Sequence, residues 1–130
     1  MKPKSRSFAD RIHLIISIAV VIPAAIIYGF FPESVLDITP NTIDESNFHK
    51  AIMGLYLGFS IIWLLGILKE GYLKIALISN IIFMLGLGFG RVLSIFLDGM
   101  PSIVYSLGTI GELALGIYGL YVYKQIRSVL

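Results

Sequence analysis

Four long apolar runs, separated by short polar connections, constrain this chain more than any other feature of its sequence. They cover residues 12–31, 51–68, 73–97 and 103–122. A helix needs about 20 apolar residues to cross the hydrocarbon core of a bilayer, and each run is close to that length. Because the runs are apolar nearly all round, they lack the polar face that a helix on a soluble domain carries. The sequence therefore predicts an all-α integral membrane protein, a four-helix transmembrane bundle.

The composition agrees with this class of protein. Of the 130 residues, 57% are hydrophobic and 14% are charged, and the mean hydropathy is +0.89. Soluble domains carry about 25% charged residues. We expect a single domain over residues 1–130, with helices at about residues 11–31, 48–69, 73–97 and 102–124. The absence of cysteine excludes disulfides, thiolate nucleophiles and cysteine-bound iron–sulfur clusters.

The distribution of charge predicts how the bundle is oriented. Basic residues flank the first run, the connection between the second and third runs, and the end of the fourth: Lys2, Lys4, Arg6, Arg11, Lys69, Lys74, Lys124 and Arg127. The first connection carries the acidic residues Glu33, Asp37, Asp44 and Glu45. Short cytoplasmic segments retain lysine and arginine, so both termini should be cytoplasmic. The net charge of +2 then reflects this sidedness, and no nucleic-acid partner is expected.

The basic start before an apolar stretch is also typical of a secretory signal peptide. The apolar part of such a peptide is about 7–15 residues long. The first run is longer, and three further runs follow it. An uncleaved first transmembrane helix is therefore the better interpretation.

Arg91 and Glu112 are the only charged residues deep inside the apolar runs. An isolated charge near the middle of a transmembrane helix costs about 2.5–3.5 kcal/mol, so a cation and an anion in consecutive helices should pair. Helical spacing aligns other polar residues with them on inward faces. We predict a polar pocket in the outer half of the bundle. Its ligand-binding residues would be Arg91, Glu112, Ser94, Asp98, Tyr56, Lys50 and His49.

A buried Arg–Glu pair also has a purely structural interpretation, because such pairs fix the register of packed helices without binding a ligand. Against this, polar residues accumulate at one level of the bundle in greater number than a single ion pair needs. Intramembrane ionisable residues are candidates for functional sites by default. The sequence is consistent with both interpretations.

Other polar and small residues have structural explanations. His13 and Trp63 are expected at the inner interface, where amphipathic rings concentrate, and His13 and His49 on opposite sides of the membrane make a metal site improbable. No cofactor is expected. The glycines at residues 86–90 are not read as a dinucleotide loop, because no strand precedes them. The G-x-x-x-G spacings at residues 54–58 and 86–90 predict close approach between helices.

Several segments resemble domain-of-unknown-function family 4345. They read NFHKAIMGLY at residues 47–56, GRVLS at 90–94, DGMPS at 98–102 and EL at 112–113. The resemblance implies a small bacterial four-helix protein of the inner (cytoplasmic) membrane. It implies a characteristic core formed by Gly90, Arg91, Ser94, Asp98, Gly99, Pro101 and Glu112. The chain is also distantly similar to DoxX-like four-helix proteins, some of which accompany membrane oxidoreductases.

Three functional hypotheses follow. The first is a binding or transport module that holds a small amphipathic or anionic ligand, such as a lipid or a quinone, at Arg91 and Glu112. The second is an accessory subunit of a larger membrane complex or a homo-oligomer, in contact with membrane lipids. The third is an intramembrane enzyme acting on lipid, with Glu112 as general base and Arg91 stabilising an anion. The absence of an evident nucleophile or metal favours a non-enzymatic role.

Overall fold

The computed structural model describes residues 8–130, and most of this part of the chain is helical. The α-helices are α1 (Ile12–Phe30), α2 (Pro32–Leu36), α3 (Ile43–Leu68), α4 (Leu73–Asp98) and α5 (Ile103–Ile126). Short 3-10 turns at Glu70–Tyr72 and Arg127–Val129 follow α3 and α5. Four of the helices, all except α2, are long and apolar enough to cross a membrane. The predicted class, an all-α four-helix transmembrane bundle, is confirmed.

The four long helices form an antiparallel bundle in which α1 packs on α3, α3 on α4, and α4 on α5. The fourth side of the bundle is more open, because α1 and α5 touch only sparsely. Arg11 forms an ion pair with Glu70, which places the start of α1 beside the α3–α4 connection. The opposite end carries α2, residues 37–42 and residues 99–102, and is called the loop end below.

The second transmembrane helix begins at Ile43 and not near residue 48, where its apolar run begins to dominate. Its start is a capping box. The Thr42 hydroxyl accepts a hydrogen bond from the Glu45 N–H at 3.1 Å, and the Glu45 carboxylate accepts one from the Thr42 N–H at 3.3 Å. These bonds satisfy backbone donors that a helix start leaves free. The extra turn is polar, so hydropathy alone did not predict it.

The glycines that allow helices to approach closely are not those with the G-x-x-x-G spacing. An added Cβ at Gly54, Gly58, Gly86 or Gly90 would meet nothing within 4 Å, so the predicted close approach at these positions within the bundle is wrong. The tight contacts lie elsewhere, at Gly66 against Ala76, at Gly88 against Leu113 and at Gly116 against Leu85. The spacing defines a smooth face on a helix, but the rotation of the helix decides whether that face meets a neighbour.

His13 and Trp63, which the sequence predicts near the inner interface, are both fully buried between the helices. The His13 ring meets Tyr118 edge to face, and its Nε2 atom lies 2.9 Å from the Leu115 carbonyl oxygen on α5. The Trp63 ring packs edge to face on Phe83, with centroids 5.1 Å apart. Packing against side chains of other helices therefore encloses both rings.

Candidate functional site

Arg91 on α4 and Glu112 on α5 form an ion pair near the loop end of the bundle. The Arg91 Nε–H group lies 2.8 Å and 3.1 Å from the two carboxylate oxygens of Glu112. The two side chains are only 23% and 15% exposed, so most of their surface is removed from the surroundings. Because α4 and α5 are antiparallel neighbours, residues at similar depth face each other. The predicted pairing of these two residues is present.

Two tyrosines complete the surroundings of the Arg91 guanidinium. Its Nη2 atom donates a hydrogen bond to the Tyr28 hydroxyl on α1 at 3.0 Å. Its Cζ atom lies 5.7 Å from the centroid of the Tyr105 ring on α5, within the range of a cation–π contact. These hydrogen bonds to Glu112 and Tyr28 engage the Nε–H group and one N–H of Nη2. Arg91 is therefore held in place by three contacts while N–H groups remain for a further acceptor.

Tyr56 closes the site from the α3 side. It is only 6% exposed. Its ring packs edge to face on Tyr28, with centroids 5.6 Å apart, and on Phe83, with centroids 5.1 Å apart. Edge-to-face packing of this kind is favourable and orients each ring. Tyr56 thus helps to hold Tyr28 where its hydroxyl meets Arg91.

A cavity of about 510 Å³ runs between α1 and α5 and ends at this cluster. We call it the lateral slot. Arg91 and Glu112 are its only charged lining residues among the residues that the structure describes. Elsewhere it is bounded mainly by apolar side chains and glycine, including Ile16, Val20, Ala24, Leu107, Gly108 and Gly111. From Ile16 to Tyr28 it follows α1 for roughly 18 Å.

The width of the lateral slot comes from small residues on α5. Gly108, Gly111 and Ala114 line it, and an added Cβ at either glycine would meet nothing within 4 Å. The volume of the slot falls within the range of about 300–1,000 Å³ that is common for sites binding small molecules. An apolar channel with a few polar groups at one end has the shape of a site for an amphipathic molecule.

Arg91 also borders two further cavities. One, of about 430 Å³, lies toward α3 and α4 and is lined by His49, Ile52, Gly90 and Ser94 among others. The other, of about 340 Å³, lies at the loop end beside Pro101 and Tyr105. Arg91 therefore stands where three openings meet. The head of a bound molecule can approach Arg91 from the α1–α5 side, from the α3–α4 side and from the loop end.

Ser94 and Asp98, the next polar residues along α4 after Arg91, bond to each other. Both are exposed, and the Ser94 hydroxyl donates a hydrogen bond to the Asp98 carboxylate at 2.9 Å. Ser94 borders the two smaller cavities beside Arg91, whereas Asp98 lines none of the cavities described above. The stripe of polar residues on α4 is therefore exposed at this point.

The predicted ligand residues separate into two places. Arg91, Glu112 and Tyr56 line the lateral slot, whereas Lys50 lines a different cavity at the loop end, which His49 also borders. Tyr28 and Tyr105 belong to the slot, although they are not among the predicted ligand residues. A signal for both existed in the sequence, since each lies near the depth of Arg91 when residues are counted from the predicted outer helix ends.

The fold and the site define a multi-pass membrane protein built as a four-helix bundle, with an intramembrane ion pair at the end of an apolar slot. The family model described as Domain of unknown function (DUF4345) matches residues 9–123. The match covers most of the chain, so this protein belongs to that family, as the resemblance of its motifs predicts. No curated protein and no solved structure matches the chain.

Proposed function

We propose that this protein binds an amphipathic membrane molecule in the lateral slot. The polar head lies at Arg91, Glu112 and Tyr28, and the apolar part lies along α1 and α5. The observation that carries this proposal is the joining of a long apolar slot to a cluster of polar groups held in fixed positions. Because α1 and α5 touch only sparsely, such a molecule can enter sideways from the bilayer.

The charge of the site favours a neutral head that accepts hydrogen bonds. Glu112 already compensates the charge of Arg91, so an anionic head would leave one negative charge in excess inside the bundle. Uncompensated charges are costly there. A carbonyl group can instead accept from a remaining N–H group of Arg91 without changing the charge balance. Quinones and neutral lipids have heads of this kind, and they are the ligand class that we propose.

Binding of decylubiquinone, a quinone with a short alkyl tail, to the purified protein in detergent micelles tests this proposal. We expect Gly108→Leu to weaken binding about tenfold, because its side chain would fill the slot between Tyr105 and Glu112, and this corresponds to about 1.4 kcal/mol. Ala19→Leu is the matched control, since Ala19 is exposed on α1 and does not line the slot. Decanoate, an anion with a tail of similar length, should bind more weakly than decylubiquinone.

The same assay separates a ligand site from a purely structural ion pair. An Arg91→Met, Glu112→Met double variant removes both charges and leaves the slot open. We expect it to lose most of the affinity for decylubiquinone. Equal binding by wild type, the double variant and Gly108→Leu would contradict the proposal. Native mass spectrometry of protein purified from its own membranes would then identify any resident molecule in the slot.

A second candidate function is that of a subunit in a larger membrane complex or homo-oligomer. Gly54 and Gly58 favour it, because both are exposed on α3 and have open space around them. Small residues four positions apart let a helix of another chain approach closely. We expect a Gly54→Leu, Gly58→Leu variant to lose a complex that crosslinking captures with wild type in native membranes. An unchanged yield of the complex would exclude this face as the contact.

A further inference from the structure

Another cavity, separate from the lateral slot, lies at the loop end between α1, α2 and α3, where Lys50 and His49 border it. Its volume is about 380 Å³, and it shares no lining residue with the slot. The polar part of its lining consists of Glu33, Ser34, Ser46, His49 and Lys50. The two charged residues of the lateral slot form an ion pair, whereas the two charged residues of this cavity, Glu33 and Lys50, do not pair with each other.

Lys50 and Glu33 border the same cavity without forming an ion pair. Within residues 8–130, no lysine nitrogen lies within 4.0 Å of the Glu33 carboxylate, and Lys50 has no carboxylate partner. The Lys50 Nζ atom lies instead 5.6 Å from the centroid of the Phe30 ring. A cation and an anion that face one cavity and do not touch can each receive the opposite charge of one molecule between them.

Hydrogen-bonding groups lie on the Lys50 side of this cavity. His49 borders this cavity, and its buried Nδ1 atom has no hydrogen-bond partner among the described residues. The Ser46 hydroxyl borders the same cavity from the first turns of α3. Phosphate oxygens accept hydrogen bonds from groups of these types and are attracted by a lysine ammonium.

We propose that this cavity binds a phosphoethanolamine group, with its phosphate at Lys50, His49 and Ser46 and its ammonium at the Glu33 carboxylate. Charge complementarity selects this chemistry. A simple anion would be repelled by Glu33, and a simple cation would be repelled by Lys50, whereas a zwitterion satisfies both. The exposed apolar side chains of Phe30 and Phe31 line the cavity, which suits the headgroup of a lipid whose chains lie in the bilayer.

The test uses wild type and variants in lipid nanodiscs that contain phosphatidylethanolamine and phosphatidylglycerol in equal amounts. After mild detergent release, native mass spectrometry counts the lipids retained by each protein. We expect wild type to retain phosphatidylethanolamine about tenfold more than phosphatidylglycerol, a difference of about 1.4 kcal/mol. Lys50→Met should lose both lipids, because the phosphate loses its cation. Glu33→Gln should lose the preference for phosphatidylethanolamine while it retains phosphatidylglycerol.

Matched controls isolate the effect of the two charges. Asp44→Asn and Lys74→Met remove charges of the same signs outside this cavity and should retain the wild-type preference. Decylubiquinone binding should be unchanged in Glu33→Gln and Lys50→Met, so failure of this proposal is distinguishable from failure of the proposed slot function. Identical lipid preference in wild type, Glu33→Gln and Lys50→Met would overturn the assignment.

A soluble competitor distinguishes a lipid headgroup from a free small molecule as the source of the phosphoethanolamine group. If free phosphoethanolamine displaces the retained lipid, the headgroup alone carries the affinity, and the assignment of the cavity is supported. If only the lipid binds and both variants behave as expected, the cavity recognises the headgroup together with its chains. Binding of free phosphoethanolamine to Lys50→Met as tightly as to wild type would contradict the proposed phosphate position.

Discussion

We expect Glu112→Gln to lower the free energy of unfolding by about 3 kcal/mol, because it leaves the Arg91 charge without its partner inside the bundle. The amide has nearly the same size as the carboxylate, so the change acts on charge and not on packing. We place the effect at the lower end of the range for buried pairs because both side chains retain some exposure. Unfolding in mixed micelles, followed by circular dichroism, measures the difference.

The matched comparison for this prediction is a double-mutant cycle. Arg91→Met combined with Glu112→Met removes both charges and should recover most of the lost stability, since apolar residues of similar volume can replace a buried ion pair. The cycle isolates the interaction between the two residues. Asp44→Asn removes an exposed carboxylate and should change stability by less than about 0.5 kcal/mol. A Glu112→Gln variant as stable as Asp44→Asn would show that the pair contributes little to folding.

Gly66→Ala should destabilise the bundle by about 2 kcal/mol, because the added methyl group would collide with Ala76 on α4. Ala76 is fully buried, and its Cβ is attached directly to the backbone, so no rotamer change can relieve the contact. The two helices would have to separate at this point. The same unfolding measurement in mixed micelles reports the loss.

Two further variants make the Gly66 prediction specific. Gly58→Ala lies on the same helix in open space and should be neutral or stabilising by up to about 1 kcal/mol, because alanine favours the helix more than glycine does. Ala76→Gly combined with Gly66→Ala restores room for one methyl group and should recover part of the loss. Equal effects of Gly66→Ala and Gly58→Ala would mean that α3 and α4 are not closely packed at Gly66.

The features predicted from sequence were those that follow from the cost of placing polar groups in lipid. The four apolar runs became α1, α3, α4 and α5, and Arg91 met Glu112 because neither charge is tolerated alone at that depth. Tyr56 was also predicted beside them, from its place on the inward face of α3. The start of α3 was missed because its first turn is polar and is held by a capping box, which hydropathy does not detect.

The positions that sequence reasoning missed depend on how each helix is rotated about its axis. Gly54 and Gly58 have the same spacing as a helix contact, yet they are exposed, while Gly66 forms the contact. His13 has the residue type of an interfacial side chain, yet α5 covers it. Lys50 and His49 occupy neighbouring positions at the loop end, yet Lys50 faces a cavity apart from the lateral slot.

The sequence by itself determined that the chain spans the membrane four times, that it is all-α and that its intramembrane arginine and glutamate pair. Each of these follows from the transfer of single residues or single segments into lipid, which depends on residue type and position alone. Tertiary structure decided that α1 and α5 stand apart to form the lateral slot, that Tyr28 reaches Arg91, and that Lys50 and Glu33 border a second cavity. These features depend on how side chains of different helices pack together, and a local sequence pattern does not determine that packing.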